Sequence, residues 1–137
     1  LDLVDQVVAA APEIISHNIE TVRRISPQVR SAAKYDVSLA VLSRIAKQGA
    51  TAKTGIMVGL GETPGEVYEL MDDVLAAGVS VLTIGQYLQP SRKNIQVTEY
   101  VTPEQFNVYK SIALDKGFRM VESAPLVRSS YHAEKHV

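Results

Sequence analysis

Three polar clusters, each directly following an apolar run, hold most of the side chains of this 137-residue chain that can do chemistry. They are His17-Asn18-Ile19-Glu20-Thr21, Gly59-Leu60-Gly61-Glu62-Thr63 and Gly85-Gln86-Tyr87-Leu88-Gln89-Pro90. Glycines admit close approach of a ligand to the backbone, and Asn18, Glu20, Glu62 and Gln86 can hydrogen-bond the hydroxyls and base edge of a nucleoside. Turn chemistry alone also favours Asn18 and Gln86 as loop-capping amides, so convergence on one face is what would make them a binding site. A fourth cluster, Pro125-Leu126-Val127-Arg128-Ser129-Ser130-Tyr131-His132-Ala133, packs a guanidinium, three hydroxyls and an imidazole into a few residues. Two phosphate-binding patterns fail. A dinucleotide fingerprint begun at Gly59-Leu60-Gly61 would need its third glycine at Pro64, and no Lys-Ser or Lys-Thr follows a glycine at Walker spacing. His17 and His132 suit structural or solvated positions as well as a ligand role, and His136 has no chemical context.

The elements that must position these clusters follow from local rules. Residues 13–17, 52–58 and 79–84 are short apolar runs of strand length, and 118–121 closes the series. Residues 38–48 carry Leu39, Leu42, Ile45 and Ala46 at helical spacing and stop at Gly49, as a C-terminal cap would. Thr63-Pro64-Gly65-Glu66 is a capping box with Pro at the first helical position, and Thr102-Pro103-Glu104-Gln105 repeats it for a helix ending near Gly117. Strand alternating with helix, without a tight hairpin signal, predicts an α/β protein of parallel βα units, either a small open sheet or part of a barrel. In both, ligands bind at the C-terminal ends of the strands, where the polar clusters stand. The chain opens at Leu1 without an initiator Met, and Leu3, Val4, Val7 and Val8 share one helical face, which suggests a chain cut inside a helix.

Composition narrows the classes. A hydrophobic content of 46% with 21% charged residues suits one globular domain rather than a disordered chain. Fourteen basic against fifteen acidic side chains leave a net charge of −1 with no basic stripe, which argues against nucleic acid as a partner. No apolar run reaches the roughly 18 to 20 residues that span a bilayer. The sequence has no cysteine, so it holds neither disulfides nor thiolate metal sites of its own.

Taken in chain order, residues 17–22, 53–63, 83–91 and 125–133 resemble lipoyl synthase, a family of radical S-adenosylmethionine enzymes. The second block also fits the general Gly-x-Ile-x-Gly-x-x-Glu pattern of such enzymes at Gly55, Gly59 and Glu62, with Met57 in the Ile position. The resemblance implies a partial (βα)6 barrel, of which residues 1–137 would be the C-terminal portion and 122–137 a cluster-capping extension. It implies insertion of sulfur at C6 and C8 of a protein-bound octanoyl group, with S-adenosylmethionine and two four-iron four-sulfur clusters, one of them consumed as sulfur source. The cysteine triads for both clusters would lie upstream, so the chain by itself is expected to be inactive. An octanoylated lipoyl carrier protein and an electron donor protein are the implied partners, without nucleic acid or membrane, in the cytoplasm.

Carried over by position, Asn18 and Glu20 would contact the ribose of the cosubstrate, and Gly59, Gly61 and Glu62 would lie along the adenosine. Gln86, Tyr87 and Leu88 would flank the adenine. Arg30 is the choice for the methionine carboxylate, with Arg23, Arg24 and Arg44 as competitors. Ser129 would be the cluster ligand of the closing motif, an oxygen donor held more weakly by iron than a thiolate. Small departures, Ile15-Ser16 and Ile25-Ser26-Pro27, touch packing near the first strand end rather than these positions. A rival reading is a non-catalytic βα domain that binds a nucleoside or a protein. Upstream triads spaced Cys-x3-Cys-x2-Cys and Cys-x4-Cys-x5-Cys would separate the two.

Overall fold

The computed structural model describes residues 14–29 and 35–127. Its elements are β1 (Ile14–Ser16), α1 (Ser26–Val29), α2 (Tyr35–Lys47), β2 (Thr51–Val58), α3 (Pro64–Ala76), β3 (Val79–Gln86), α4 (Pro103–Lys116) and β4 (Met120–Ser123). The one-turn helix α1 has no counterpart among the sequence expectations, since four residues are too few for a periodic signal. The opening apolar pattern, Arg30 and the run from Arg128 onward, Ser129 included, lie outside the described residues.

The four strands pair in parallel in the order β1-β2-β3-β4. A doubly wound open sheet reverses its strand order, whereas each strand here is added beside the last, as in a barrel wall. Register assigns the faces. Thr54, Leu82 and Val121 form one cross-strand row, and Gly55, Thr83 and Glu122 form the next, on the opposite face. The first face is covered by helices: Ile56, Leu82, Ile84 and Val121 pack with Leu42 and Ile45 of α2, Val67, Leu70 and Val74 of α3, and Phe106 and Ala113 of α4. Truncating a fully buried member such as Leu42 or Phe106 to Ala would cost about 2–5 kcal/mol. The second face, carrying Lys53, Gly55, Met57, Val81, Thr83 and Glu122, is the inner face of the wall.

Helix starts follow the sequence rules unequally. At α3 the Thr63 hydroxyl accepts from Glu66 N at 3.2 Å while the Glu66 carboxylate accepts from Thr63 N at 2.9 Å, a complete capping box. At α4 the Thr102 hydroxyl accepts from Gln105 N at 3.2 Å, but Gln105 Nε2 is buried with no partner among the described residues. The sheet includes Glu122 and Ser123, and the chain leaves it at Ala124.

Candidate functional site

All four strand ends deliver residues to one cavity of about 420 Å³. Asn18 and Glu20 come from the end of β1, Gly55 and Met57 from β2, Thr83, Gln86 and Leu88 from β3 and its loop, and Val127 from the segment after β4. The size falls within the range of small-molecule sites.

The β1 end is held against β2 by hydrogen bonds that force an unusual turn. Thr54, on β2, donates its hydroxyl to the His17 carbonyl at 2.8 Å and accepts from Ile19 N at 3.0 Å. Glu20 N donates to the Gly55 carbonyl at 3.1 Å, and Met57 N donates to the Glu20 carbonyl at 2.8 Å. Between these anchors Thr21 N closes a three-residue bond back to the Ile19 carbonyl, with Glu20 at φ 76°. That is a γ-turn of the rare positive-φ kind, at a residue with no glycine licence. It is the only positive-φ non-glycine among the described residues, and it stands on the cavity wall. Strain of this kind is retained where neighbouring structure over-determines it, and it concentrates at functional sites.

The glycine loop after β2 shapes the cavity rather than lining it. Glu62 is 7% exposed, and its carboxylate accepts from Gly59 N at 3.0 and 3.1 Å and from Leu60 N at 2.9 Å. Those are the amides that a phosphate loop would offer to an anion, so the carboxylate occupies the place of a phosphate within the loop itself. Gly59 has φ 98°, and a Cβ there would collide with the Gln86 amide and the Glu99 carbonyl. Its close approach is to the chain's own loop. Gly61 has φ 101° and faces the Thr98 side chain. Gly59, Gly61 and Glu62 are therefore not brought to the cavity wall with Asn18 and Glu20.

The β3 end divides in the same way. Gln86 lines the cavity while its amide pins the following loop, donating to the Tyr87 and Glu99 carbonyls and accepting from Val101 N at 2.8 Å. Tyr87 is turned into the core, 3% exposed, and donates to the Ile95 carbonyl at 2.6 Å. Leu88, 42% exposed, gives the cavity an apolar wall. Sequence reasoning missed Met57, Thr83 and Val127 as lining residues. The first two alternate with helix-side positions along their strands, a signal legible once the buried face is known.

Two guanidiniums named for an anionic ligand already hold carboxylates. Arg24 makes two bonds to Glu66, both at 2.9 Å, and a third to the Gly61 carbonyl at 2.8 Å. Arg23 bonds Asp36 at 2.7 Å and lies over the Tyr35 ring at 4.4 Å. Arg24, with the Thr63 backbone amide, holds the Glu66 carboxyl down at about 2. Among the described residues no group of three or more His, Cys, Asp or Glu converges as on a metal ion, and no helix is long and apolar enough to cross a membrane.

No family model matches the chain. Individual proteins do. The chain is 82% identical over 137 residues to a lipoyl synthase of Parabacteroides distasonis, an alignment covering 100% of this chain and 49% of that protein. It is 69% identical over 136 residues to the lipoyl synthase of Bacteroides fragilis (99% and 47%), and 66% identical over 138 residues to that of Porphyromonas gingivalis (100% and 49%). Over its whole length the chain is similar in sequence to these lipoyl synthases. It spans about half the length of the curated lipoyl synthases it matches. The parallel βα wall, with its polar groups at the strand ends, is consistent with a portion of a lipoyl synthase barrel.

Proposed function

We propose that this chain is the C-terminal portion of a lipoyl synthase, and that its cavity is the S-adenosylmethionine site of the whole enzyme. The observation that carries this is the meeting of Asn18, Glu20, Gln86 and Leu88 on one wall at the strand ends. An amide and a carboxylate suit vicinal ribose hydroxyls, and an amide edge beside Leu88 suits an adenine. The strained turn at Glu20 supports a binding role on independent grounds. Bound there, the cosubstrate supplies the radical chemistry by which sulfur enters at C6 and C8 of a protein-bound octanoyl group.

The residues of this chain bind and orient. Asn18 and Glu20 hold the ribose, Met57 and Leu88 exclude water from its faces, and Arg30 takes the methionine carboxylate. Glu62, Gly59, Gly61 and Tyr87 act one step back, fixing the two loops whose edges form the wall. The iron-sulfur clusters are a different matter, because their cysteine ligands cannot come from a sequence with no cysteine. They belong to the remainder of the parent, with Ser129 as the oxygen ligand that this chain contributes. Val127 lines the cavity, and Arg128 and Ser129 follow it directly in sequence. An octanoylated carrier protein and an electron donor complete the reaction, which takes place in the cytoplasm.

Calorimetric titration of the full-length, cluster-reconstituted protein with S-adenosylmethionine tests the site. Asn18→Ala and Glu20→Gln should each weaken binding by about 1–3 kcal/mol. Unchanged affinity in both variants would remove the assignment. Gln86→Ala is a poorer probe, since its amide also holds three backbone groups of the loop.

A further inference from the structure

The longest connection among the described elements, residues 87–102 between β3 and α4, is pinned along its length. The Gln86 amide holds Glu99 and Val101, the Tyr87 hydroxyl donates to the Ile95 carbonyl, and Thr98 N and Glu99 N donate to the Gly59 carbonyl at 2.8 and 3.2 Å. Near the tip, Gln89 Nε2 donates to the Asn94 carbonyl at 2.9 Å and the Ser91 hydroxyl donates to Asn94 Oδ1 at 2.7 Å. Long connections without secondary structure of their own are uncommon in a compact domain and are usually functional.

What this fixed loop displays is unlike a solvated turn. Tyr100 is 71% and Leu88 42% exposed, and with Gln89, Gln96 and Val97 they line a groove of about 510 Å³. Leu88 and Gln89 also line the strand-end cavity, so groove and cavity share a wall. At the tip, Arg92 and Lys93 are adjacent, exposed and without an ion pair among the described residues. The loop's single acidic residue, Glu99, stands at its foot, where its backbone meets Gly59 and Gln86. Exposed aromatic anchors carry affinity in protein interfaces, and unpaired charges of one sign steer a partner of the other. A loop already held in place adds little ordering cost on binding.

We infer that this loop is the docking surface for the acylated carrier protein, and that the carrier's face around its octanoyl-lysine is acidic with an apolar centre. The inference rests on the proposed lipoyl synthase function. An octanoyl group on a lysine side chain reaches only as far as that arm, so the carrier must rest at the rim of the cavity, where Leu88 and Gln89 pass into the groove. An electron donor has no arm to place in the cavity, which favours the carrier as the occupant.

Steady-state kinetics of the full-length, cluster-reconstituted protein, reduced by dithionite, test this with two substrates: an intact octanoylated carrier domain and a short octanoyl-lysine peptide. Arg92→Glu combined with Lys93→Glu, and separately Tyr100→Ala, should raise KM for the carrier about tenfold while leaving its kcat and all peptide turnover within about twofold. Rising ionic strength should weaken the wild-type enzyme on the carrier and leave the doubly substituted variant nearly indifferent. Equal damage on both substrates, or an unchanged carrier KM in every variant, overturns the inference. So does a defect that appears only when a protein reductant replaces dithionite, since the loop would then seat the electron donor. Wild-type enzyme that makes no lipoyl product from the peptide sinks the lipoyl synthase reading and this inference with it, whereas normal peptide turnover with an unchanged carrier KM sinks the inference alone. Should the doubly substituted variant melt early, Arg92→Ala with Lys93→Ala carries the same comparison.

Discussion

Glu20 concentrates the tension between stability and function in one residue. Its backbone is held at φ 76° by bonds to Gly55 and Met57, a conformation that costs a non-glycine residue about 1–3 kcal/mol. Glu20→Gly relieves that strain against the entropy glycine adds to the unfolded chain, so it should melt at or slightly above the wild-type temperature. Glu20→Ala, which keeps a Cβ, should show no gain. Both should bind S-adenosylmethionine more weakly in the full-length protein, and normal affinity with unchanged melting would remove the residue from the site. Ser129 is tested differently. In the intact enzyme Ser129→Ala should stop most sulfur transfer to an octanoyl-lysine peptide, followed by mass spectrometry, while cleavage of the cosubstrate persists. Ser130→Ala is the control, and equal damage from the two variants would mean that the ligand has been misplaced.

Single elements carry their own electrostatics, and the start of α3 is the clearest case. Glu66 closes the capping box and receives Arg24, so its carboxyl lies at about 2, below the ordinary value of 4.5. A depressed carboxyl adds stability that is fully present above its unfolded value and is lost as pH falls through the folded one. The loss therefore belongs to the window between about pH 4.5 and 2. Titration of Glu66 followed by carboxyl NMR should show a midpoint near 2 that moves toward the ordinary range in Arg24→Ala. An unmoved midpoint would assign the shift to the cap alone. Thr63→Ala removes the other half of the box and should destabilise by about 1 kcal/mol in a thermal or denaturant melt.

At the scale of the whole molecule, the segment after β4 matters most, because it crosses from the sheet onto the inner face. Ala124 N bonds the Ile84 carbonyl, the Pro125 carbonyl accepts from Gln86 N, and Val127 N bonds back to the Ala124 carbonyl. A Cβ at Gly85 would overlap the Val127 carbonyl, so the glycine is what lets this segment reach the cavity rim. Gly85→Ala should raise hydrogen exchange at the amides of Gln86 and Val127 while protection in the centre of β2 is retained. Uniform loss of protection would mean that Gly85 serves the sheet rather than the docking of this segment.

The elements were legible in the sequence because their causes are local. Pro64 and Pro103 at first helical positions, Thr63 and Thr102 as caps, and the short apolar run at 52–58 each act within a turn or a strand. Parallel pairing without hairpins, and polar groups gathered at the strand ends, followed from the order of those elements. What the sequence could not assign was the duty of each polar group at those ends. Glu20 and Glu62 are both carboxylates in loops after strands, yet one stands on the cavity wall and the other binds the amides of Gly59 and Leu60. Likewise Tyr87 packs in the core and Lys53 stands on the inner face. A carboxylate or an ammonium has the same chemistry wherever it stands, and which partner it meets depends on where register and loop closure bring the donors and acceptors of distant strands. That arrangement is created only when the strands pair, so tertiary structure alone decided it.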